Sequence, residues 1–165
     1  MKKLMRRKPF EKISVSDICE DCGINRKSFY YHFRDKYDLV NWIFYVGFIG
    51  VMDLNAYDSG WDVLEDVCRY FYKERQFYRV ALQIEGQNSF RDYFFDSMMP
   101  IFHMFLNEIS DEDSFIRDNS RYISDAFLAV LHSWLRDGCP QDPRQLHRNV
   151  RRILAMIGKS AGAEG

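Results

Sequence analysis

The sequence predicts an all-α protein. Among its 165 residues, glycine and proline are sparse, and apolar residues recur at spacings of three and four and do not alternate with polar ones. Apolar residues make up 47% of the chain and charged residues 28%, a balance typical of one globular domain or of two small ones that share a core. This composition excludes disordered, collagen-like and low-complexity chains.

Helix starts are marked by a capping residue followed three positions later by an acid, a pair that satisfies free backbone N–H groups. These pairs are Ser14 with Asp17, Asp35 with Asp38, Ser59 with Asp62, Ser89 with Asp92, and Ser110 with Asp113. Asp142 followed by Pro143 starts the last helix, and Gly138 and Pro140 end the one before it. The predicted helices are a short basic one before Pro9, then 15–22, 25–33, 36 to about 55, 61–83 with room for a break near Arg75, 89–109, 111–137 and 143–158.

Charge is distributed unevenly along the chain, although the formal net charge is only −1. Residues 1–36 carry ten Lys or Arg against five Asp or Glu, which gives +5, whereas the remainder carries 13 against 19, which gives −6. A basic segment of this kind favours contact with nucleic acid. The aromatic content of 16% exceeds what a core of this size requires and favours a pocket or an oligomer interface.

The compartment that we expect is a reducing cytoplasm. The basic opening is interrupted by Pro9 and Glu11 where a signal peptide needs an apolar stretch. The most apolar window, 39–52, is shorter than the roughly 20 residues that cross a bilayer. Cysteines are too few and too scattered for a secreted disulfide framework; they are Cys19, Cys22, Cys68 and Cys139.

Residues 13–39 predict a helix-turn-helix. The first helix has a buried stripe at i, i+3, i+4 and i+7, formed by Val15, Ile18, Cys19 and Cys22. Gly23 follows where a left-handed residue must turn the chain, and Ile24 is expected to fill the turn from inside. Asn25 caps the second helix, on which Phe29 and Phe33 form an inward pair.

The second helix presents a different, basic and aromatic face formed by Arg26, Lys27, Tyr30 and Tyr31. The Arg26 guanidinium can donate twice to guanine in the major groove, and Lys27 can reach guanine or phosphate. Phosphate contacts suit Ser28, His32 and Lys36. The helix N-termini near Ser14 and Asn25 also offer N–H groups and positive dipole ends to phosphate.

The run Phe29-Tyr30-Tyr31-His32-Phe33, followed by Asp35-Lys36 and Leu39, resembles the DNA-binding domain of TetR-type transcriptional regulators. The segment 8–15 extends the similarity, and the later helices ending in Trp134-Leu135-Arg136-Asp137-Gly138 resemble the effector and dimerisation half of that family. The resemblance implies a three-helix DNA-binding domain at 1–36 and a helical effector-binding and dimerisation domain at 37–160. The segment 86–90 and the 134–138 run further resemble a subgroup of dihydroxyacetone-kinase activators, some of which use a partner protein as co-activator.

The resemblance implies a bacterial homodimer that reads a near-palindromic operator and responds to a small-molecule or protein effector in a variable pocket. The aromatic and methionine residues that can line this pocket are Phe48, Met52, Phe71, Met98 and Phe102. Apolar stripes on the last two helices predict the dimer interface, with Phe127, Leu131, Trp134, Val150, Ile153 and Ile157 as its residues. The family's first helix is longer than 1–8, so either the native start lies upstream or this helix is shortened.

Other site classes have weaker support. Cys19 and Cys22 lack a second pair at zinc-ligand spacing, His32 has no readable catalytic partner, and 111–113 lacks the pattern of a calcium loop. No enzyme motif is present, so we expect a regulator with no metal and no cofactor. The alternative is a TetR-like protein-interaction module that has lost DNA binding. The sequence does not decide whether the protein represses or activates transcription.

Overall fold

The computed structural model describes residues 1–84, 90–107 and 113–161. Within these ranges every regular element is a helix or a 3₁₀ turn, which confirms the predicted all-α class. The α-helices are α1 (Lys2–Met5), α2 (Val15–Cys22), α3 (Arg26–His32), α4 (Lys36–Gly47), α5 (Gly60–Lys73), α6 (Arg75–Ala81), α7 (Phe90–Asn107), α8 (Asp113–Arg136) and α9 (Pro143–Ala161). The 3₁₀ turns are Phe10–Lys12, Ile49–Val51 and Leu54–Ala56.

Side-chain caps begin the helices largely where the sequence predicts them. Asp35 accepts hydrogen bonds from two backbone N–H groups at the start of α4, and Ser59 accepts two at the start of α5. Asp142 accepts from the Gln145 N–H at the start of α9. These bonds satisfy donors that have no partner inside the helix. The predicted starts at Ser89 and Ser110 lie outside the described residues.

Helix α4 ends at Gly47, so the prediction of a helix reaching about Asn55 is wrong. Phe48 leaves the helical region with φ −134° and ψ −67°, and 3₁₀ turns follow. Gly50 then approaches the end of the helix so closely that an added Cβ would lie 3.2 Å from the carbonyl oxygen of Tyr45. A side chain at position 50 would therefore require the neighbouring backbone to shift by a few tenths of an ångström. A run of apolar residues does not reveal this close approach.

The chain forms two compact units. The first consists of 1–52 and 74–99, and its core is rich in aromatic rings around the fully buried Phe44, which contacts Phe48, Tyr78, Phe90 and Phe94. Helix α1 packs on α6 in this unit: the Lys2 ammonium lies 2.8 Å from a carboxylate oxygen of Glu74 and over the ring of Phe77. Leu4 and Met5 of α1 are buried.

The second unit contains 53–73 and the described residues from 100 onward. In it, α5 packs on α9 and on α8. Trp134 stacks on Tyr72 with ring centroids 5.9 Å apart, and its indole N–H donates to the carbonyl oxygen of Gln141 over 3.0 Å. Gly138 ends α8 in the left-handed region, at φ 81°. The tryptophan and glycine of the 134–138 run therefore have structural roles at the α8–α9 turn.

No helix among the residues that the structure describes is both long enough and apolar enough to span a bilayer.

Candidate nucleic-acid interface

A capping box fixes the start of α2. The Ser14 N–H and hydroxyl each donate to the Asp17 carboxylate over 2.7 Å, and the Asp17 N–H donates back to the Ser14 hydroxyl oxygen over 3.1 Å. At the other end of α2, Gly23 has φ 67°, as the sequence predicts, and turns the chain toward α3. Local hydrogen bonds and one left-handed glycine therefore define the helix-turn-helix geometry.

The Asp17 carboxylate also pairs with a cation. The Lys8 ammonium lies 2.7 Å from Asp17 Oδ1, and this contact, together with the hydrogen bonds from Ser14, holds the pKa of Asp17 well below its usual range. The acid is therefore ionised at neutral pH and its charge is compensated by Lys8. The Ser14 hydroxyl already donates its hydrogen to Asp17 within the cap, so it could donate to phosphate only after that bond breaks. The phosphate contact predicted at this position uses the N–H groups and the dipole of the helix N-terminus.

Helix α3 has one buried face and one exposed face. Asn25 caps it by accepting the Ser28 N–H over 2.8 Å, and Phe29 anchors it in the core with an exposed fraction of 1%. The other predicted DNA-binding residues of this helix are exposed: Arg26, Lys27, Ser28, Tyr30, Tyr31 and His32. Tyr31 is 84% exposed. The chain thus presents the basic and aromatic residues on the outer side of α3, at the place where the sequence predicts them.

Arg26 and Tyr30 contact each other on this exposed face. The guanidinium carbon lies 5.9 Å from the centre of the Tyr30 ring, and the Nη2–Oη distance is 3.5 Å. The Tyr30 ring in turn meets Phe29 edge-on, with centroids 5.4 Å apart. A chain of contacts therefore connects the buried anchor of α3 to the arginine predicted to read a base.

The end of α3 borders a cavity of about 310 Å³ lined by His32, Phe33 and Trp42. Phe33 and Trp42 meet edge-on with centroids 5.4 Å apart, and His32 meets the Tyr31 ring in the same way at 5.0 Å. Trp42 is half exposed. Trp42, Tyr45 and Val46 are exposed, yet their i, i+3, i+4 spacing is also that of a buried apolar stripe. The sequence alone therefore does not show that this side of α4 faces solvent.

Lys36 departs from its predicted role as a phosphate contact. Its Nζ donates to the carbonyl oxygens of Phe10, Glu11 and Ile13 over 2.8, 3.2 and 3.0 Å, and it lies 4.4 Å from the Phe10 ring centre. Partial burial lowers the pKa of this ammonium, and the charge of Glu11 opposes that shift. An ammonium has three N–H donors, and all of them have internal acceptors. We therefore assign Lys36 to the frame that joins α4 to the 3₁₀ turn at Phe10–Lys12.

Two residues near the turn are placed differently from the prediction. Cys22 is exposed and is not part of the buried stripe that Ile18 and Cys19 form in α2. Ile24 is 43% exposed and does not fill the turn from inside. Both residues flank Gly23, whose left-handed conformation turns the chain outward at this point. Within the described ranges, no group of three or more His, Cys, Asp or Glu could hold a metal ion.

The predicted dimer residues divide into two groups. Phe127, Leu131 and Trp134 are buried in their own subunit, which corrects their assignment to an intersubunit surface. Phe127 packs against Phe102, and Trp134 against Tyr72. On α9, Val150 is half-buried and Ile153 is exposed. The side chain of Ile157 lies outside what the structure describes.

The predicted pocket residues are distributed over both units. Phe48, Met52 and Met98 belong to the first, and Phe71 and Phe102 to the second. All are buried except Met52, which is half-buried. Their role in a pocket stays a prediction.

Residues 2–43 match the family described as bacterial regulatory proteins, tetR family, and residues 60–155 match a family described as transcriptional regulator C-terminal region. A curated relative, the HTH-type dhaKLM operon transcriptional activator DhaS of Lactococcus lactis subsp. lactis (strain IL1403), is 33% identical over 85 residues. This alignment covers 51% of the chain and 46% of the relative, so it spans about half the length of each.

A solved structure, named dihydroxyacetone kinase operon activator DhaS, is similar with a TM-score of 0.67. The similarity covers 96% of this chain and 91% of the other, at 23% sequence identity, and it concerns the fold. All of these matches are to transcriptional regulators and not to enzymes. The chain therefore belongs to the TetR family of bacterial transcriptional regulators.

Proposed function

We propose that this protein binds a near-palindromic DNA operator as a homodimer and regulates transcription under the control of an effector. The observation that supports DNA reading is the exposed face of α3, where Arg26, Lys27, Tyr30 and Tyr31 face solvent while Phe29 anchors the helix. A recognition helix needs this division, because one side must be held by the domain while the other enters the major groove. Reading of DNA places the protein's action in the cytoplasm.

We assign base reading to the N-terminal half of α3 and phosphate contact to its flanks. The Arg26 guanidinium can hold guanine through two parallel hydrogen bonds, and Lys27 can reach guanine or phosphate. Ser28, His32 and the Tyr31 hydroxyl can donate to phosphate. The N-termini of α2 and α3, at Ser14 and Asn25, add the favourable ends of their helix dipoles. In this proposal residues 1–36 read DNA and 37–160 bind the effector and the second subunit.

The dimer surface that we propose lies on the exposed side of α8. Tyr122, Ala126, Ala129 and Val130 follow one another at i, i+4, i+7 and i+8 and are all exposed in the isolated subunit. Small residues at the centre of such a stripe let two helices approach closely. On α9, the apolar residue Ile153 is also exposed, at 57%. We propose this stripe as the dimer surface in place of Phe127, Leu131 and Trp134, which are buried on the other side of α8.

An effector controls DNA binding by changing the populations of two dimer conformations, which differ in the separation of the two recognition helices. An effector that prefers one separation of the two recognition helices changes operator affinity only by its difference in affinity for the two states. The curated relative is named an activator, and we extend activation to this chain. A promoter fusion carrying the operator is then expected to give higher reporter expression with the protein than without it.

Selection of bound fragments from a random duplex pool tests the proposed function. We expect enrichment of two similar half-sites about one helical turn apart. Binding to the enriched duplex should fall steeply with salt, with a log–log slope near −0.9 for each phosphate neutralised. Arg26→Ala should weaken binding by about 1 to 3 kcal/mol at one base position, whereas Lys27→Ala, if Lys27 contacts phosphate, should weaken all sequences alike. Failure of the whole chain to enrich any sequence would favour the protein-interaction module.

A further inference from the structure

We infer that Tyr30 is a positioning residue for Arg26 and sets the strength of base discrimination without reading a base itself. The inference rests on the proposed function, because it concerns how α3 distinguishes one operator sequence from another. Arg26 and Tyr30 are separated by one helical turn, so their side chains lie on the same side of α3. The structure brings them together, with Nη2 3.5 Å from the Tyr30 hydroxyl and the guanidinium carbon 5.9 Å from the ring centre.

The Tyr30 ring also contacts the buried anchor of α3. It meets Phe29 edge-on, at 5.4 Å between centroids and an interplanar angle of 89°. Phe29 is 1% exposed and fixed in the core, whereas Tyr30 is 49% exposed. The inner half of the ring therefore rests on the domain, while the outer half and the hydroxyl face the guanidinium. A long arginine side chain on an exposed helix otherwise samples many rotamers, and a fixed aromatic neighbour restricts them.

The contact leaves Arg26 able to bind a base. A guanidinium has five N–H donors, and the contact with Tyr30 engages Nη2 alone, so other N–H groups remain for the two acceptors of guanine. The Tyr30 hydroxyl oxygen accepts from Arg26 Nη2 and is thereby held beside the guanidinium, while its own hydrogen stays available to donate. Tyr31 provides a contrast on the same helix. It is 84% exposed and its recorded ring contact is with His32, not with Arg26.

Equilibrium binding of the full chain to its selected duplex and to every single-base-pair variant of that duplex tests this role. Arg26→Ala should remove the preference at one base pair of each half-site, a change of about tenfold or more. Tyr30→Ala should reduce the preference at the same base pair by about threefold to tenfold, because a less restricted arginine loses part of its advantage on the correct base. The salt dependence should stay that of the unmodified protein, since no phosphate contact is removed.

Further variants distinguish a loss of base discrimination from a loss of folded protein. Tyr30→Leu retains an apolar contact with Phe29 but offers neither ring face nor hydroxyl, and it should lose as much discrimination as Tyr30→Ala. In the Arg26→Ala background, Tyr30→Leu should have no further effect on that base pair, which a double-mutant cycle measures. Tyr31→Ala is the comparison variant: loss of its proposed phosphate contact should weaken binding to all sequences alike and leave the preference at the Arg26 base pair unchanged. Circular dichroism confirms that each variant is folded at the binding temperature.

Two results would overturn the inference. A uniform loss of affinity for all sequences with a shallower salt dependence would show that Tyr30 contacts phosphate. A loss of preference at a base pair other than that of Arg26, additive with Arg26→Ala, would show that Tyr30 reads a base directly. In both cases the unmodified protein still prefers its operator, so the proposed function stands. Absence of any sequence preference in the unmodified protein contradicts the proposed function instead.

Discussion

The Lys36 ammonium lies 2.8 Å from the carbonyl oxygen of Phe10 and connects the first turn of α4 to the turn that precedes α2. Two further carbonyl oxygens, of Glu11 and Ile13, accept from the same ammonium. The Phe10 carbonyl oxygen also accepts the Ile13 backbone N–H over 3.0 Å, and the ammonium adds a charged donor to all three carbonyl groups. The helix-turn-helix is thereby fixed to the helix that follows it.

We expect Lys36→Met to lower the free energy of unfolding by about 1 to 3 kcal/mol, because three carbonyl groups lose a charged donor. Denaturant unfolding measures this loss, with Lys12→Met, a change at an exposed lysine of the same turn, as the control that stays near the unmodified value. A Lys36→Met protein with unchanged stability but weaker, less salt-sensitive DNA binding would restore Lys36 as a phosphate contact.

A second prediction concerns the contribution of Asp17 to stability at acidic pH. Its pKa is held below the usual range by Lys8 and by hydrogen bonds from Ser14. An acid whose pKa is lower in the folded state stabilises the fold above its unfolded pKa, near 3.9, and this contribution is lost as the pH falls below that value. Asp17→Asn should therefore be less stable than the unmodified protein at pH 6, and the difference should shrink between pH 4 and pH 2.5.

Thermal unfolding of both proteins across this range measures the difference, and Asp21→Asn, at an exposed acid of the same helix, is the control. A difference that stays constant down to pH 2.5 would show that ionisation of Asp17 contributes nothing to stability.

The helix-turn-helix could be predicted from sequence because its determinants are local. The Ser14 and Asn25 caps and the left-handed Gly23 depend on residues within three positions of one another. The inward position of Phe29 and the exposure of Arg26 then follow from the helical period of α3. The exposure of the α3 residues of the candidate interface was therefore predicted residue by residue.

Some errors are local, as at Cys22 and Ile24, but others occur where distant parts of the chain decide the outcome. Lys36 is separated by more than 20 residues from the carbonyl groups that it contacts, and sequence spacing gives no information on that pairing. On α8, Val130 and Leu131 are both apolar, but only Leu131 faces the subunit's core. The periodicity of an apolar stripe places residues on a common face, but it cannot tell a core face from an interface when the helix carries both.

His147 leads to a prediction at mildly acidic pH. It is buried on α9, with Nδ1 3.7 Å from a carboxylate oxygen of Glu65, and its Nε2 is buried without a hydrogen-bond partner. Burial lowers the pKa of His147 below 6.5 and Arg151 acts in the same direction, whereas Glu65, the Trp61 backbone and Asp62 oppose the shift. The folded state therefore favours the neutral imidazole.

Between the unfolded and the folded pKa the unfolded chain binds more protons, so stability should fall as the pH drops below about 6.5. We expect the free energy of unfolding to decrease from pH 7.5 to pH 5.5, and His147→Leu to decrease less over the same interval. His32→Leu, at an exposed histidine, is the control. Equal slopes for His147→Leu and the unmodified protein would contradict the prediction.

The last prediction separates the two faces of α8. Val130 is 38% exposed on the stripe that we propose for the dimer, and its neighbour Leu131 is fully buried. Val130→Arg places a charge in an apolar interface and should convert the dimer to a monomer without unfolding the subunit. Leu131→Ala leaves a cavity and should lower the free energy of unfolding by about 2 to 5 kcal/mol. Light scattering after size-exclusion chromatography, together with circular dichroism, distinguishes the two results. A Val130→Arg protein that stays dimeric would place the dimer surface elsewhere, because an arginine at the centre of a helix-to-helix contact has no room and no counter-charge on this stripe.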